Sequence, residues 1–262
     1  MIGDSPGDSG AAAARPTRVA RIGIALAVGA SLGTAPARGD ALRDGADAFA
    51  RKDAATAMRL LAPLAEQGDP IAGCMVTVML DVARGRVAYD VDTMAATCID
   101  AAAGKPGAEL DLAGNYRTGL VLAKDAAKAA MLYRLAADQG SAVAQKALGD
   151  LYAEGSGVQR NLAAACRWWG RAAMQGEGRE AQRDYGNCHL SGTGMPRSEV
   201  QALAWWLIAK RSESRDTDGL PSWVFQRDRD ADRLADALMQ RMPADQVAQA
   251  QAFARAWRPK PE

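Results

Sequence analysis

Gly68, Gly104, Gly140 and Gly176 recur at intervals of 36 residues, three times in a row without slippage. Three of them close a similar phrase: Leu64-Ala65-Glu66-Gln67-Gly68, Ala136-Ala137-Asp138-Gln139-Gly140 and Ala172-Ala173-Met174-Gln175-Gly176. A fixed period of this length marks a stacked array, in which each unit is one supersecondary motif that cannot bury its apolar face alone. Such arrays build extended surfaces more readily than catalytic pockets, so the period bends the functional argument toward binding.

Further positions recur on the same register. Ala72, Ala108, Ala144 and Ala181 fall at steps of 36, 36 and 37, Tyr116 matches Tyr152, and Gly119 matches Gly155 and Gly192. Trp168-Trp169 returns as Trp205-Trp206 after 37 residues, so the last unit has gained one residue. Ala144, Leu148 and Tyr152 lie at i, i+4 and i+8, one face of a helix. Gly155-Ser156-Gly157 breaks that helix and Asn161 caps the next, whose buried face carries Ala165, Trp169 and Ala173. Gly176 stops it, because a glycine takes the left-handed conformation at little cost. Each unit is thus a helix, a glycine-rich turn, a second helix and a glycine stop, with helices of about 13 residues.

Ala144-Gln145, Leu148-Gly149-Asp150-Leu151-Tyr152, Gly155-Ser156-Gly157-Val158, Trp168-Trp169 and the closing Ala172-Ala173-Met174-Gln175-Gly176 together resemble the Sel1-like repeat. That family is related to the tetratricopeptide repeat and has a longer loop between its helices. The resemblance implies an all-α fold, a right-handed α-solenoid of antiparallel helix pairs with helical caps. Four repeats are expected over residues 69–213, with units at 69–104, 105–140, 141–176 and 177–213. The last keeps Gly192-Thr193-Gly194-Met195 and both tryptophans, the second has Val121 where a loop glycine belongs, and the first keeps only Gly85 in its loop. Residues 38–68 form an opening helix pair, 214–229 a loop, and 230–262 a closing pair with Pro243 in the first turn of the last helix.

Residues 1–37 read as a signal peptide. Arg15, Arg18 and Arg21 precede an apolar run from Ile22 to Leu32, followed by Ala35-Pro36-Ala37, a small-x-small cleavage pattern. The run is too short for a comfortable membrane span, with an uncleaved anchor as the alternative. Removing it takes away those three arginines with Asp4 and Asp8, leaving equal numbers of basic and acidic side chains. No concentrated basic surface for nucleic acid follows from that balance. The expected location is periplasmic or secreted, with no stable span after cleavage.

The four cysteines support that location by their placement. Cys74 and Cys98 are equidistant from position 86, inside the first unit's loop, and Cys166 and Cys188 are centred on position 177, beside the turn after Gly176. Residues equidistant from the turn of an antiparallel helical hairpin sit at the same height. The expected disulfides are therefore Cys74–Cys98 and Cys166–Cys188, bonds that oxidising compartments preserve.

Chemistry is sparsely provided. His189 is the only histidine and has no catalytic partner nearby in sequence, the cysteines are too far apart for a Cys-x-x-Cys metal site, and no Ser-x-x-Lys or His-Glu-x-x-His occurs. Gly7-Asp8-Ser9-Gly10 spells a serine-protease phrase but falls in the expected signal segment. Gly155-Ser156-Gly157 is a turn, lacking the lysine of a phosphate loop. No catalytic residue, metal or cofactor is expected. Trp169 and Trp206 are placed in the core by the period, while Trp168 and Trp205 lie about 100° round the helix. The partner-binding candidates lie on the concave side, lined in related repeats by the first helix of each unit: Arg117, Lys146, Asp150, Arg183 and Asn187. The expectation is a non-catalytic repeat protein that binds another protein as scaffold or regulator of an envelope process. The alternative is a cell-wall or glycan-binding protein, or a β-lactamase-like hydrolase, using the groove.

Overall fold

The computed structural model describes residues 38–86, 88–176, 178–216 and 226–260. The expected signal peptide lies outside the described residues. Within Pro36–Glu262, one compact unit, twelve helices follow one another and no strand occurs among the described residues. They pair as α1 (Arg38–Ala50) with α2 (Ala54–Glu66), α3 (Pro70–Ala83) with α4 (Val91–Ala102), and α5 (Pro106–Thr118) with α6 (Ala126–Asp138). α7 (Ala142–Glu154) with α8 (Leu162–Gln175), α9 (Arg179–Ser191) with α10 (Glu199–Asp216), and α11 (Gln226–Arg241) with α12 (Ala244–Ala256) complete the α-solenoid.

Local chemistry sets the element ends. Asp53, Asp69, Asp90, Asp125, Ser141 and Asn161 each accept hydrogen bonds from first-turn N–H groups of the following helix, satisfying donors that have no intrahelical partner. Gly68, Gly104, Gly140 and Gly176 all have positive φ, between 73° and 93°, as their place after a second helix demands.

The core runs between the helices as a band of small and aliphatic side chains. Ala72, Ala144 and Ala181, the recurring alanines, are fully buried, as are Leu61, Leu112, Leu132 and Leu148. Alanine at these crossings lets helix axes approach closely. At the C-terminal end, Trp205, Trp206 and Ile208 of α10 are covered by Ala235 and Leu238 of α11 and by Ala250 and Ala254 of α12.

Two boundaries differ from the sequence reading. Both ends of the expected loop at 214–229 are helical, because α10 continues to Asp216 and α11 already begins at Gln226, and residues 217–225 lie outside the described residues. The tryptophans also divide differently. Trp206 is buried as expected, but so is Trp205, at 3% exposure each, whereas Trp169 is only half-buried. The burial of Trp205 comes from the cap: Phe253 and Trp257 pack edge-on against it, with centroids 6.2 and 5.7 Å away, and no equivalent aromatic cover reaches Trp168 among the described residues.

Candidate interaction surface on the first helices

The polar candidates on α7 and α9 meet in one charged cluster. Lys146 lies 2.8 Å from Asp150 one turn along α7, and its ammonium also reaches Glu180 at 3.4 Å and Asp184 at 3.7 Å on α9. Arg183 pairs with Asp184 at 3.3 Å. Burial alone would depress the Lys146 ammonium, yet the hydrogen bond that it donates to Asp150 and the charges of Asp150, Asp184 and Glu180 outweigh it and raise its pKa. Burial likewise raises the Asp184 carboxyl, against the pull of Arg183 and Lys146. The cluster bridges the first helices of adjacent units.

Asp150 and Asn187 have a second task. The Trp169 indole donates to Asp150 at 3.0 Å, and the Trp206 indole donates to Asn187 at 3.1 Å. Both pairs span 19 residues, so this is one interaction repeated in consecutive units. A glycine one residue upstream makes it sterically possible: a Cβ on Gly149 would sit 2.5 Å from the Trp169 ring, and one on Gly186 2.7 Å from the Trp206 ring. Tyr133 occupies the matching place in the preceding unit. It is buried, which raises its pKa, and Arg117 opposes that shift with its charge and a hydrogen bond. Arg117 is itself exposed. The structure thus joins Lys146, Asp150 and Arg183 in one cluster, while Arg117 and Asn187 each stand beside the aromatic of their own unit.

A buried polar series was missed by the sequence reading. Glu109, Gln145 and Gln182 are all at most 3% exposed and stand at steps of 36 and 37. Gln139 donates to Glu109 at 2.8 Å and Gln175 donates to Gln145 at 2.9 Å, each across 30 residues. The glutamine of the closing phrase therefore ties the end of a second helix to the start of its own first helix. Its recurrence just before the closing glycine was the signal available in the sequence.

Cys74 and Cys98 lie at disulfide distance, with Cα atoms 6.0 Å apart, and so do Cys166 and Cys188, at 5.8 Å. The first pair joins α3 to α4, and the second joins α8 to α9 across the boundary between units. His189 stands at the position of Tyr116 and Tyr152, one step of 37 beyond the latter. Its ring meets Tyr185 edge-on at 4.7 Å, and burial lowers its pKa, so it is neutral at physiological pH. No group of three or more metal-ligating side chains occurs among the described residues, and no described helix is long and apolar enough to cross a membrane. Gly3-Asp4-Ser5-Pro6-Gly7 spells Gly-x-Ser-x-Gly and, like Gly7-Asp8-Ser9-Gly10, lies outside the described residues.

A solved Sel1 repeat protein from Oxalobacter formigenes is 22% identical over 82% of this chain and 85% of that one, with a TM-score of 0.47. The protective antigen c5321 of uropathogenic Escherichia coli, which displays an SLR fold, is 24% identical over 84% of this chain, with a TM-score of 0.43. The match spans about half of that antigen, 53% of its length. No curated protein matches. The Sel1 repeat profile matches residues 37–69, 106–141, 142–177 and 179–213. It passes over the expected unit at 69–104 and takes the opening pair instead. With four matched repeats making up more than half of its length, the chain belongs to the Sel1 repeat family.

Proposed function

We infer a binding role from the family, since Sel1 repeats generally mediate protein–protein interaction and the family is generally non-catalytic. We propose that this chain is an exported adaptor that binds another protein of the cell envelope along the first-helix face of α5, α7 and α9. The observation that carries this reading is the mixed-sign strip formed by Lys146, Asp150, Glu180, Arg183 and Asp184, whose salt bridges run across adjacent units and hold that face in one shape. A rigid polar strip with exposed Arg117 at its side suits a complementary protein surface. Export is supported by the two cysteine pairs at disulfide distance and by the basic and apolar leader of residues 1–37. The glycan-binding alternative needs free aromatic platforms. Trp205 and Trp206 are buried, Trp169 is tied to Asp150, and Arg171 stacks on Trp168 at 4.8 Å.

The test is site-specific photocrosslinking in intact cells from position 117. One stoichiometric envelope protein, lost when Glu180→Arg is introduced into the same chain, is the expected result. Capture of muropeptides alone would overturn the proposal in favour of a cell-wall ligand.

A further inference from the structure

Trp169 stands on the second helix of its pair, yet its contacts run out to the first-helix strip. A glycine and an acceptor on one turn of α7 fix its ring. An added Cβ on Gly149 would sit 2.5 Å from the ring, and the indole N–H donates to Asp150 Oδ1 at 3.0 Å. The Lys146 ammonium donates to both oxygens of the same carboxylate at 2.8 Å. Asp150 is thus held from two helices, and its carboxylate cannot turn away without breaking charge-assisted hydrogen bonds. Lys146 in turn reaches Glu180 and Asp184 on α9. One continuous path leads from an indole on α8, through Asp150 and Lys146 on α7, to two carboxylates of the next unit.

The chain carries its own control for this arrangement. In the next unit the Trp206 indole donates at 3.1 Å to Asn187, and Gly186 lies against the ring. An amide oxygen is enough to seat the indole there, so packing asks only for an acceptor at this position. The carboxylate at 150 supplies more than the indole needs, and Lys146 uses the surplus charge. In the preceding unit the same position falls on Gly114 and the aromatic on Tyr133, with Arg117 as hydrogen-bond partner instead. Exposure divides the members of the path. The Lys146 side chain is only 18% exposed, so carboxylates rather than water hold its charge, while Glu180 is 65% exposed and faces outward.

We propose that Trp169 is the positioning residue of the first-helix strip: its N–H fixes the Asp150 carboxylate, which fixes Lys146 within reach of Glu180 and Asp184, so the face offered to a partner protein is set from the second helix. Linked hydrogen bonds order one another, and loss of one member loosens the rest. Complementarity between charged faces depends on where each charge is held, so a loosened Lys146 costs the strip its register. This role rests on the protein-binding reading of that face and deepens it.

The test compares Trp169→Phe with Trp206→Phe in the full chain. Both lose one indole donor and keep a ring, but only the first loses it from the path to Lys146. The partner-independent measurement is the rate at which acetic anhydride labels Lys146, read by mass spectrometry against Lys210. Labelling should quicken at least threefold in Trp169→Phe and in Asp150→Asn, which copies Asn187, and stay at the parent rate in Trp206→Phe. A chain with benzothienylalanine at 169, which keeps the bicyclic ring and lacks the N–H, should match Trp169→Phe and decides the matter if that variant does not fold. Photocrosslinking from position 117 should fall at least tenfold in Trp169→Phe and persist in Trp206→Phe. An unchanged rate in Trp169→Phe, an equal rise in Trp206→Phe, or capture that survives the loosening of Lys146 would overturn the role. Quickened labelling with no protein captured by the parent chain supports the path from Trp169 to Lys146 and refutes the adaptor reading alone.

Discussion

At the residue scale, Glu109 is a carboxyl at a position where the following units have glutamine, and it is buried to 3% exposure. Burial raises its pKa, and the hydrogen bond from Gln139 only partly offsets that. A carboxyl whose folded pKa exceeds its unfolded one favours folding when protonated, and its ionisation destabilises the fold as pH rises through that pKa. Glu109→Gln, which copies Gln145, is therefore expected to stabilise the protein at pH 7 by a few tenths to about 1 kcal/mol. The gain should vanish as pH falls below the ordinary glutamate range, which urea titrations at pH 7 and pH 4 would check. Equal gains at both pH values would refute the account. The neighbouring readings of Asp150 and Asn187 show how far sequence reaches at this scale. Both were legible as polar positions off the apolar face. Their pairing with Trp169 and Trp206 was not, because the distance between residues 19 apart on two different helices depends on how the loop returns the chain.

At the element scale, the loops and the cysteine pairs perform related tasks. Gly157 has φ of 71° and rests on Ala126, whereas Gly85 has φ of 64° with open space around it. Gly157→Ala combines backbone strain with a collision and is expected to cost about 2 kcal/mol or more, against about 1 kcal/mol for Gly85→Ala. Equal losses in chemical denaturation would show that the loop does not dock. Cys74–Cys98 clamps α3 to α4, whose loop opens on Arg84 where the next three pairs have a left-handed glycine, which gives that disulfide a structural reason. Replacing both with serine is expected to cost about 3 kcal/mol and to speed amide exchange in α3 and α4. Reductant should abolish the difference from the parent chain; a difference that persists would mean that the cysteines are not bonded. These pairs were legible from arithmetic on the glycine register, since symmetry about a turn is a property of an antiparallel hairpin. The seating of Gly157 on Ala126 was not legible in that way, because a repeat pattern reveals equivalence and not which element lies across the space between equivalents.

At the scale of the whole molecule, a solenoid must end somewhere, and here the end is aromatic. The closing phrase of the earlier units is missing after α10, and α12 with the following segment takes its place. Trp257 and Phe253 cover Trp205, Arg211 donates to the Ala254 carbonyl at 2.9 Å, and the Lys260 amide donates to the Met174 carbonyl at 2.9 Å. Pro259 also lies over Gly176, so the tail reaches back to the last glycine stop of the series. Because each unit touches mainly its neighbours, stability in such an array is a sum of unit and nearest-neighbour terms. Trp257→Ala is then expected to cost about 2 kcal/mol, less than a fully buried aromatic because Trp257 is half-buried. The loss should appear as faster amide exchange in α9, α10 and α12 and as a red-shifted tryptophan emission from Trp205, with α1 to α4 unchanged. A uniform rise in exchange along all twelve helices would instead mean that the chain unfolds as one cooperative block, and the cap would then stabilise the array as a whole rather than its last unit.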